Sequence, residues 1–351
     1  MKILFLTLIT FVFCSKENIA QQIVFKDVNL LSALLSHDPS IDVNDDNNIS
    51  IEEAKLVTKL NLANNSIGSA LELKEFTSLV SLNIAYNQID SLPFHLWPKL
   101  THLILDQNNF TAVDFSNNSL LSYLSIKENN VHHLHLENNP KLDTLNCDHS
   151  HVHHMKLYNC HELSYLSCSH NMLDSLNLVN NAELTYLDAH DNAVKQVVGI
   201  EFLKSLAYLD LEDCDLHQLN LSKCIALRFA YLGSNSDLSE VCLNEMQFSL
   251  AENCMFDFCY SKDHTTNWSN NCDGVITFLN QTERVDQQLV YPNPSSGLVT
   301  FSSSLLRIVN SKGELVQPIG AGNTVDLSDY CNGVYFFYFK NGAVTKVCIA
   351  R

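Results

Sequence analysis

Between Val57 and Leu238 apolar and polar side chains alternate in short bursts that return every 21 or 22 residues. Copies open at Val57, Leu79, Leu100, Leu121, Leu142, Leu163, Leu184, Leu206 and Leu227. They share the frame L-x-x-L-x-(L/I/C)-x-x-N-x-(L/V)-x-x-(L/M)-x-L. Within a copy the period is two, so Leu124 and Ile126 point one way while Tyr123, Ser125 and Lys127 point the other, as in a strand with one buried face. Nine copies at nearly fixed spacing predict a solenoid in which each unit buries its apolar side against its neighbours. A second alternating segment follows in each copy, such as Leu134 with Leu136 or Leu176 with Leu178. The residues left over are too few for an amphipathic helix. The outer side is therefore expected to be a second thin sheet or extended turns.

The ninth position of each copy reads Asn65, Asn87, Asn108, Asn129, Ser150, Asn171, Asn192, Cys214 and Asn235. There the chain must leave the strand and turn inward. A short amide can donate to one backbone carbonyl and accept from a backbone amide, satisfying groups that the turn would strand in the core. This frame resembles the leucine-rich repeat over residues 57–240. The resemblance implies a parallel β coil of about nine repeats with little helix.

Stacking the copies places outward residues in columns about 4.8 Å apart. The third position contains His102, Tyr123, Thr144, Tyr165, Tyr186, Tyr208 and Phe229, which reads as a continuous aromatic stripe. Beside it run Asp188 and Asp210 at the fifth position and Asp148 and Glu212 at the seventh. Tyrosine combines a large contact area with a polar tip and is frequent at binding hot spots. The same ladder would also stabilise its own sheet by cross-strand packing. Histidines fall in short columns, His132 with His153, His133 with His154, and His149 with His170, the last continued by Asp191. No closed set of three or four metal ligands emerges from these columns.

Before the repeats, residues 1–20 combine Lys2, an apolar run from Ile3 to Phe13 and a small residue at Ala20, the pattern of a secretory signal peptide. The run is far shorter than the roughly 18 residues needed to span a bilayer. Residues 21–56 are expected to form a helical cap. Phe25, Val28, Leu31, Leu34 and Leu35 recur at helical spacing, and Pro39 follows the end. From Asp42 to Glu53 oxygen-bearing residues fall at positions 1, 3, 5, 7, 9 and 12, with Ile49 at 8. This spacing resembles an EF-hand calcium loop, except that Asn47 stands where glycine is usual. It implies a structural Ca²⁺ held by the side chains of Asp42, Asn44 and Asp46, the carbonyl of Asn48, Ser50, and Glu53 with both oxygens.

After the repeats the frame is lost over residues 241–284, read as a cap with Phe248, Met255, Phe256, Phe258 and Trp268 as cover. Twelve cysteines divide by position. Cys147 and Cys168 fall at inward sites, whereas Cys242, Cys254, Cys259 and Cys272 cluster past the last repeat, where at least one disulfide is expected in an exported chain. Residues 285–290 read as a linker. In 291–351 strands alternate with Ser-Lys-Gly, Cys-Asn-Gly and Lys-Asn-Gly turns, which predicts a small β-sandwich. Pro292, Asn293, Pro294 and Gly297, the Val309–Leu315 turn, Val325–Ser328 and Gly333–Tyr335 resemble the type A sorting domain of the type IX secretion system. The resemblance implies a Bacteroidetes-like bacterium, recognition by that secretion machinery, and a secreted or surface-attached product.

A formal charge of −18, from 39 acidic and 21 basic residues, argues against nucleic acid or an anionic membrane as partner. No catalytic motif or organic-cofactor motif is present in the sequence. The expected function is non-enzymatic binding of a protein on the concave face through Tyr123, Tyr165, Tyr186, Tyr208 and Phe229 with the acidic flank. The alternatives are a purely structural surface protein and a glycan binder using the same tyrosines.

Overall fold

A computed structural model describes residues 21–251 and 259–270, and in the C-terminal part residues 290–291, 298–301, 305–310, 315–316, 324–328, 333–339 and 344–349. The chain falls into two compact units, Met1–Thr277 and Phe278–Arg351. The signal-peptide residues 1–20, the sorting residues Pro292, Asn293, Pro294 and Gly297, and Met255, Phe256 and Phe258 lie outside the described residues.

The first unit is a leucine-rich-repeat solenoid. Ten parallel strands line one side, each paired with its neighbours in unbroken register. Leu145, Leu166, Leu187 and Leu209 are paired successively, one per coil, and each is fully buried. Nine of these strands are the framed copies. The tenth, Cys259–Lys262, pairs with Phe229–Leu232 and lies in the stretch expected to be only a cap. Tyr260 takes the leucine place there, pairing with Ala230 and donating its hydroxyl to the Leu227 carbonyl at 2.8 Å. Asp263 replaces the asparagine of a normal turn by accepting from the amides of Ser234 and Asn235 at 2.8 and 2.7 Å. Within the stretch expected to be a cap, residues 259–262 therefore extend the coil. Phe248 and Trp268 do pack on the core, and Cys242 is disulfide-bonded.

The outer side consists of thin parallel sheets, as the spacing predicts. His133–His135 pairs with His154–Lys156, Leu176–Asn177 with Val197–Val198, and Leu219–Asn220 with Glu240–Cys242. Elsewhere it turns through short 3-10 segments at Leu71–Glu75, Phe94–Leu96 and Ile200–Phe202. Cys147, Cys160, Cys168, Cys214 and Cys224 are free thiols buried in the coil.

Two helices close the N-terminal end. The first, Val28–Leu35, buries Leu30, Ala33 and Leu34, so the buried face is rotated from the expected one and Val28 is exposed. Asp27 caps this helix by accepting from the amides of Asn29 and Leu30 at 2.8 and 3.1 Å. Its other oxygen accepts from Gly68 and Ser69 in the first repeat at 2.7 and 2.9 Å. One carboxylate thus joins the cap to the coil. Burial would raise its pKa, but the amides of Ser69, Gly68, Leu30 and Asn29 outweigh that and hold it below the ordinary 3.8. A depressed carboxylate stabilises the fold above its unfolded value and loses that contribution as pH falls through the folded one. Asp27→Ala should cost about 2 kcal/mol at neutral pH, and the gap between urea melts of the two proteins should narrow as pH is lowered below 3.8.

Among the described residues of the second unit all strand pairs are antiparallel. One sheet contains Val290–Tyr291, Leu298–Phe301 and Thr324–Asp326; the other contains Leu305–Asn310, Leu315–Val316, Gly333–Phe339 and Val344–Ile349. Ile308, Val316, Val325, Leu327, Tyr335 and Phe337 are buried.

Candidate functional site: the concave face and its turns

The turn ladder carries the geometry of the face. Asn171 Nδ2 donates to the carbonyls of Cys147, Cys168 and Ser169 at 2.9, 3.0 and 3.0 Å. Its Oδ1 accepts from the amides of Ser150 and Val152 at 3.0 and 2.9 Å. Asn87, Asn108, Asn129, Asn192 and Asn235 repeat the pattern, each donating to the preceding coil and to its own turn. Asn65, on the first coil, donates only to Ala63. Both departures do the same work with less. Ser150 Oγ donates to Ile126 at 2.7 Å, and Cys214 Sγ donates to Ala189 at 3.4 Å.

Two features of the turns escape a reading of residue types. The residue just before each ladder position, from Asn64 and Tyr86 through His149, His170 and Asp191 to Ser234, has a positive φ of 50–59°. None is glycine. The ladder amide holds this left-handed step whatever side chain sits there, at a cost of roughly 1–2 kcal/mol per residue. A second ladder runs further along five of the coils. Asn118, Asn139 and Asn181 donate to Trp97, Asn118 and Cys160 at 2.8, 2.9 and 2.8 Å. Cys160 and Cys224 stand in the same column and donate to Leu136 and Ile200, each at 3.3 Å. The Oδ1 atoms of Asn118, Asn139 and Asn181 have no partner, so this column needs only a donor, which a thiol supplies. The Leu136 carbonyl also accepts from the Asn139 amide at 3.0 Å, so Cys160→Val should cost only about 0.5–1.5 kcal/mol, the loss of one net hydrogen bond, whereas Cys160→Asn should melt close to the native protein.

On the concave face Tyr165, Tyr186 and Tyr208 form one stack, with ring centroids 4.4 and 4.5 Å apart and planes within 8 and 6° of parallel. Phe229 and Tyr231 lean against its end at 6.4 and 5.6 Å from Tyr208. The aromatic stripe expected from Tyr123 onward is interrupted. Tyr123 pairs only with His102, at 6.1 Å, because Thr144 separates it from Tyr165 in the register.

The acidic flank also divides. Asp148 faces the next coil, accepting from Ser167 Oγ at 2.8 Å and from the Ser169 amide at 2.9 Å. It is a stitch between coils rather than a free charge, and Asp106 does the same for Ser125 and Lys127. Asp188 and Asp210 are register neighbours, and Glu212 is exposed. Burial raises the Asp210 pKa, with Asp188 adding to the rise against the amide of Glu212. Burial and the adjacent Asp210 push the Tyr208 hydroxyl up to about 12. Burial and Asp188 move the Tyr186 hydroxyl up as well, so both tyrosines remain neutral donors. A groove opens along the edge of the stack, lined by Tyr186, Tyr208, Phe229, Ile225 and Met246 with Lys223 and Arg228 at its rim. Ile225 and Met246 are 69% and 73% exposed.

His190 joins this corner. Its Nδ1 lies 2.7 Å from Asp188 Oδ1. Burial would lower its pKa, but the contact with Asp188 and the nearby Asp210 and Asp148 raise it. Among the described residues, Asp188, His190 and Asp210 are the one group of three potential metal ligands whose donor atoms lie within 4.8 Å of one another.

The 42–53 loop folds back on itself through its own side chains. Asp42 accepts from the amides of Asp46 and Asn47 at 3.2 and 2.8 Å, and Asn44 and Asp46 accept from Asp46 and Asn48. Asn47 adopts the positive φ, 60°, that glycine would take there. Ile49 is buried and its carbonyl receives the Ile23 amide at 2.9 Å. Glu53 accepts from the amides of Val43 and Ser50, each at 2.9 Å, forming a capping box at the second helix, Ile51–Leu56. The donors are all oxygen, which fits a hard cation. Asp42, Asp46 and Glu53 nonetheless do not form a three-carboxylate cluster.

Residues 289–349 match the family described as the secretion system C-terminal sorting domain, so the second unit carries an export signal of that kind. The chain has no match among the curated proteins. Among solved structures, the first unit is similar to internalin C2 from Listeria monocytogenes, at 22% identity, over 56% of this chain and 89% of that one, with a TM-score of 0.49. Internalin InlF from the same organism matches at 17% identity, over 76% and 100%, with a TM-score of 0.44. The Toll–Spätzle complex from Drosophila matches at 17%, over 55% and 35%, with a TM-score of 0.44. With TM-scores below 0.5 these likenesses add nothing to what the strand register already shows. No helix among the described residues is long and apolar enough to cross a membrane.

Proposed function

We propose that this chain is an exported, non-enzymatic binding protein whose concave face engages a basic protein surface at the secreted or cell-surface location that the sorting domain implies. The observation that carries the reading is the Tyr165–Tyr186–Tyr208 stack set between the acids Asp188, Asp210 and Glu212 and an open apolar groove. Stacking holds the rings rigid before any partner arrives, so little side-chain entropy remains to be lost on binding. The aromatic area then supplies affinity, and the negative flank selects and steers a basic partner. Relative to the sequence expectation, the proposed surface omits Asp148 and Tyr123 and gains Ile225 and Met246. Pull-down with the exported chain, beside a glycan array, tests this. Tyr186→Ala with Tyr208→Ala should weaken capture at least 100-fold, about 3 kcal/mol, and affinity should fall with added salt. Undiminished capture by that variant would move binding elsewhere, and selective glycan retention would replace the protein reading.

The N-terminal loop is proposed to bind Ca²⁺ as a structural staple, through Asp42, Asn44, Asp46, the Asn48 carbonyl, Ser50 and Glu53. When bound, the ion would tie the loop to the second helix at the end of the coil. Calorimetry should show one site that Glu53→Gln abolishes, with the thermal midpoint of the native protein rising in calcium and that of the variant staying put. Equal behaviour of the two proteins would remove the assignment.

A further inference from the structure

Two imidazoles from neighbouring coils meet in an arrangement that the columns of the repeat do not reveal. His170 sits at the left-handed turn position of its coil, and His190 sits one position earlier in the next coil, where the strand ends. Their Nε2 atoms are 3.0 Å apart and their ring planes are 80° apart. Each ring is held from behind by a carboxylate, His190 through Nδ1 to Asp188 Oδ1 at 2.7 Å and His170 through Nδ1 to Asp191 Oδ2. His149 stacks on the other side of His170 at 4.0 Å.

A carboxylate accepts, so it fixes the proton on Nδ1 of each neutral ring and leaves a lone pair on each Nε2. Two lone pairs then face one another at hydrogen-bond distance, so the contact is favourable only with an electrophile between them, either a shared proton or a metal ion that takes its place. Zinc with tetrahedral bonds of about 2.0–2.1 Å would hold two nitrogens roughly 3.3 Å apart, a few tenths of an ångström from the observed separation. Carboxylate–imidazole pairs of this kind also raise ligand basicity and lock ring orientation. Asp210 has a carboxylate oxygen within 4.8 Å of a ring nitrogen of His190 and an oxygen of Asp188. Both rings are partly exposed, so an ion can enter from solvent.

We propose that His170 and His190, oriented by Asp191 and Asp188, form a site for a nitrogen-preferring divalent cation such as Zn²⁺. The ion would displace any proton shared between the two Nε2 atoms and would bridge two coils at the border of the aromatic stack. The site is separate in chemistry and place from the all-oxygen loop at residues 42–53, and it does not depend on the concave face binding a protein.

The test is a Zn²⁺ titration of the chelator-stripped full chain by calorimetry, with Ca²⁺ present throughout to occupy oxygen sites. One tight equivalent is expected. It should be weakened at least tenfold in His170→Gln and in His190→Gln, and kept in the His133→Gln, His154→Gln variant of the outer histidine pair. Far-UV circular dichroism checks that each variant is folded. If either imidazole variant fails to fold, Asp191→Asn serves instead. That change keeps both imidazoles and should weaken binding about 10-fold or more. Absence of a tight equivalent in the native chain, or unchanged binding in the His170 and His190 variants or in Asp191→Asn, overturns the proposal.

Discussion

Asn171→Ala is expected to destabilise the first unit by about 3 kcal/mol, among the largest effects of a single polar substitution in the coil. The side chain makes five contacts with backbone groups of two coils. Its removal orphans the Cys147 carbonyl and the amides of Ser150 and Val152, whereas the Cys168 carbonyl still accepts from Asn192 and the Ser169 carbonyl from the His149 amide. Exposed asparagines such as Asn130 should tolerate the same change. Asn171→Ser should fall between, because Ser150 does this work one coil earlier with a single hydroxyl. Urea melts give the ranking, and hydrogen exchange locates the damage. The amides of Ser150 and Val152 should lose protection first, with distant coils barely affected, since a solenoid's contacts run only between neighbours.

The same contacts explain what could be seen in the sequence. Leucine columns and the ninth-position amides are legible because burial and unpaired backbone groups restrict those sites to few residue types. The 42–53 loop is legible for a similar reason, since its winding depends on short oxygen-bearing side chains at fixed steps. The left-handed turn residues are not, because the constraint on Tyr86, Gln107 or His170 is imposed by the asparagine that follows, and their own side chains are free to vary. The second ladder was partly visible in Asn118, Asn139 and Asn181, but Cys160 and Cys224 disguise it as a cysteine pattern. The tenth strand was hidden because Tyr260 and Asp263 fill the places of leucine and asparagine by different chemistry. At the candidate site, register correctly joined Tyr165, Tyr186 and Tyr208. It could not show that Asp148 turns toward Ser167, or that His170 and His190, one position out of column, face each other. Those depend on side-chain direction at the turn, which a column alignment treats as uniform.

Gly199→Ala should be the most damaging small substitution on the outer side. Gly199 has φ +88° and precedes the 3-10 turn Ile200–Phe202, at the point where the chain leaves the paired strand Val197–Val198. A Cβ there would lie 2.5 Å from the Val179 nitrogen and 2.6 Å from its Cα. Both are backbone atoms and cannot swing aside. The neighbouring coil is held in place by the Leu178 amide donating to the Val198 carbonyl at 2.8 Å, so relief requires breaking that pairing. The left-handed backbone costs about 1–2 kcal/mol for an L-residue, and forced overpacking adds about 1–3. The expected loss is therefore about 3 kcal/mol, seen as an earlier unfolding transition for the coils around Leu178 and Val198. Gly233→Ala provides the contrast. There the nearest atom is the Glu212 Oε1 at 2.7 Å, the end of an exposed, flexible side chain that can rotate away, so its melt should stay close to that of the native chain.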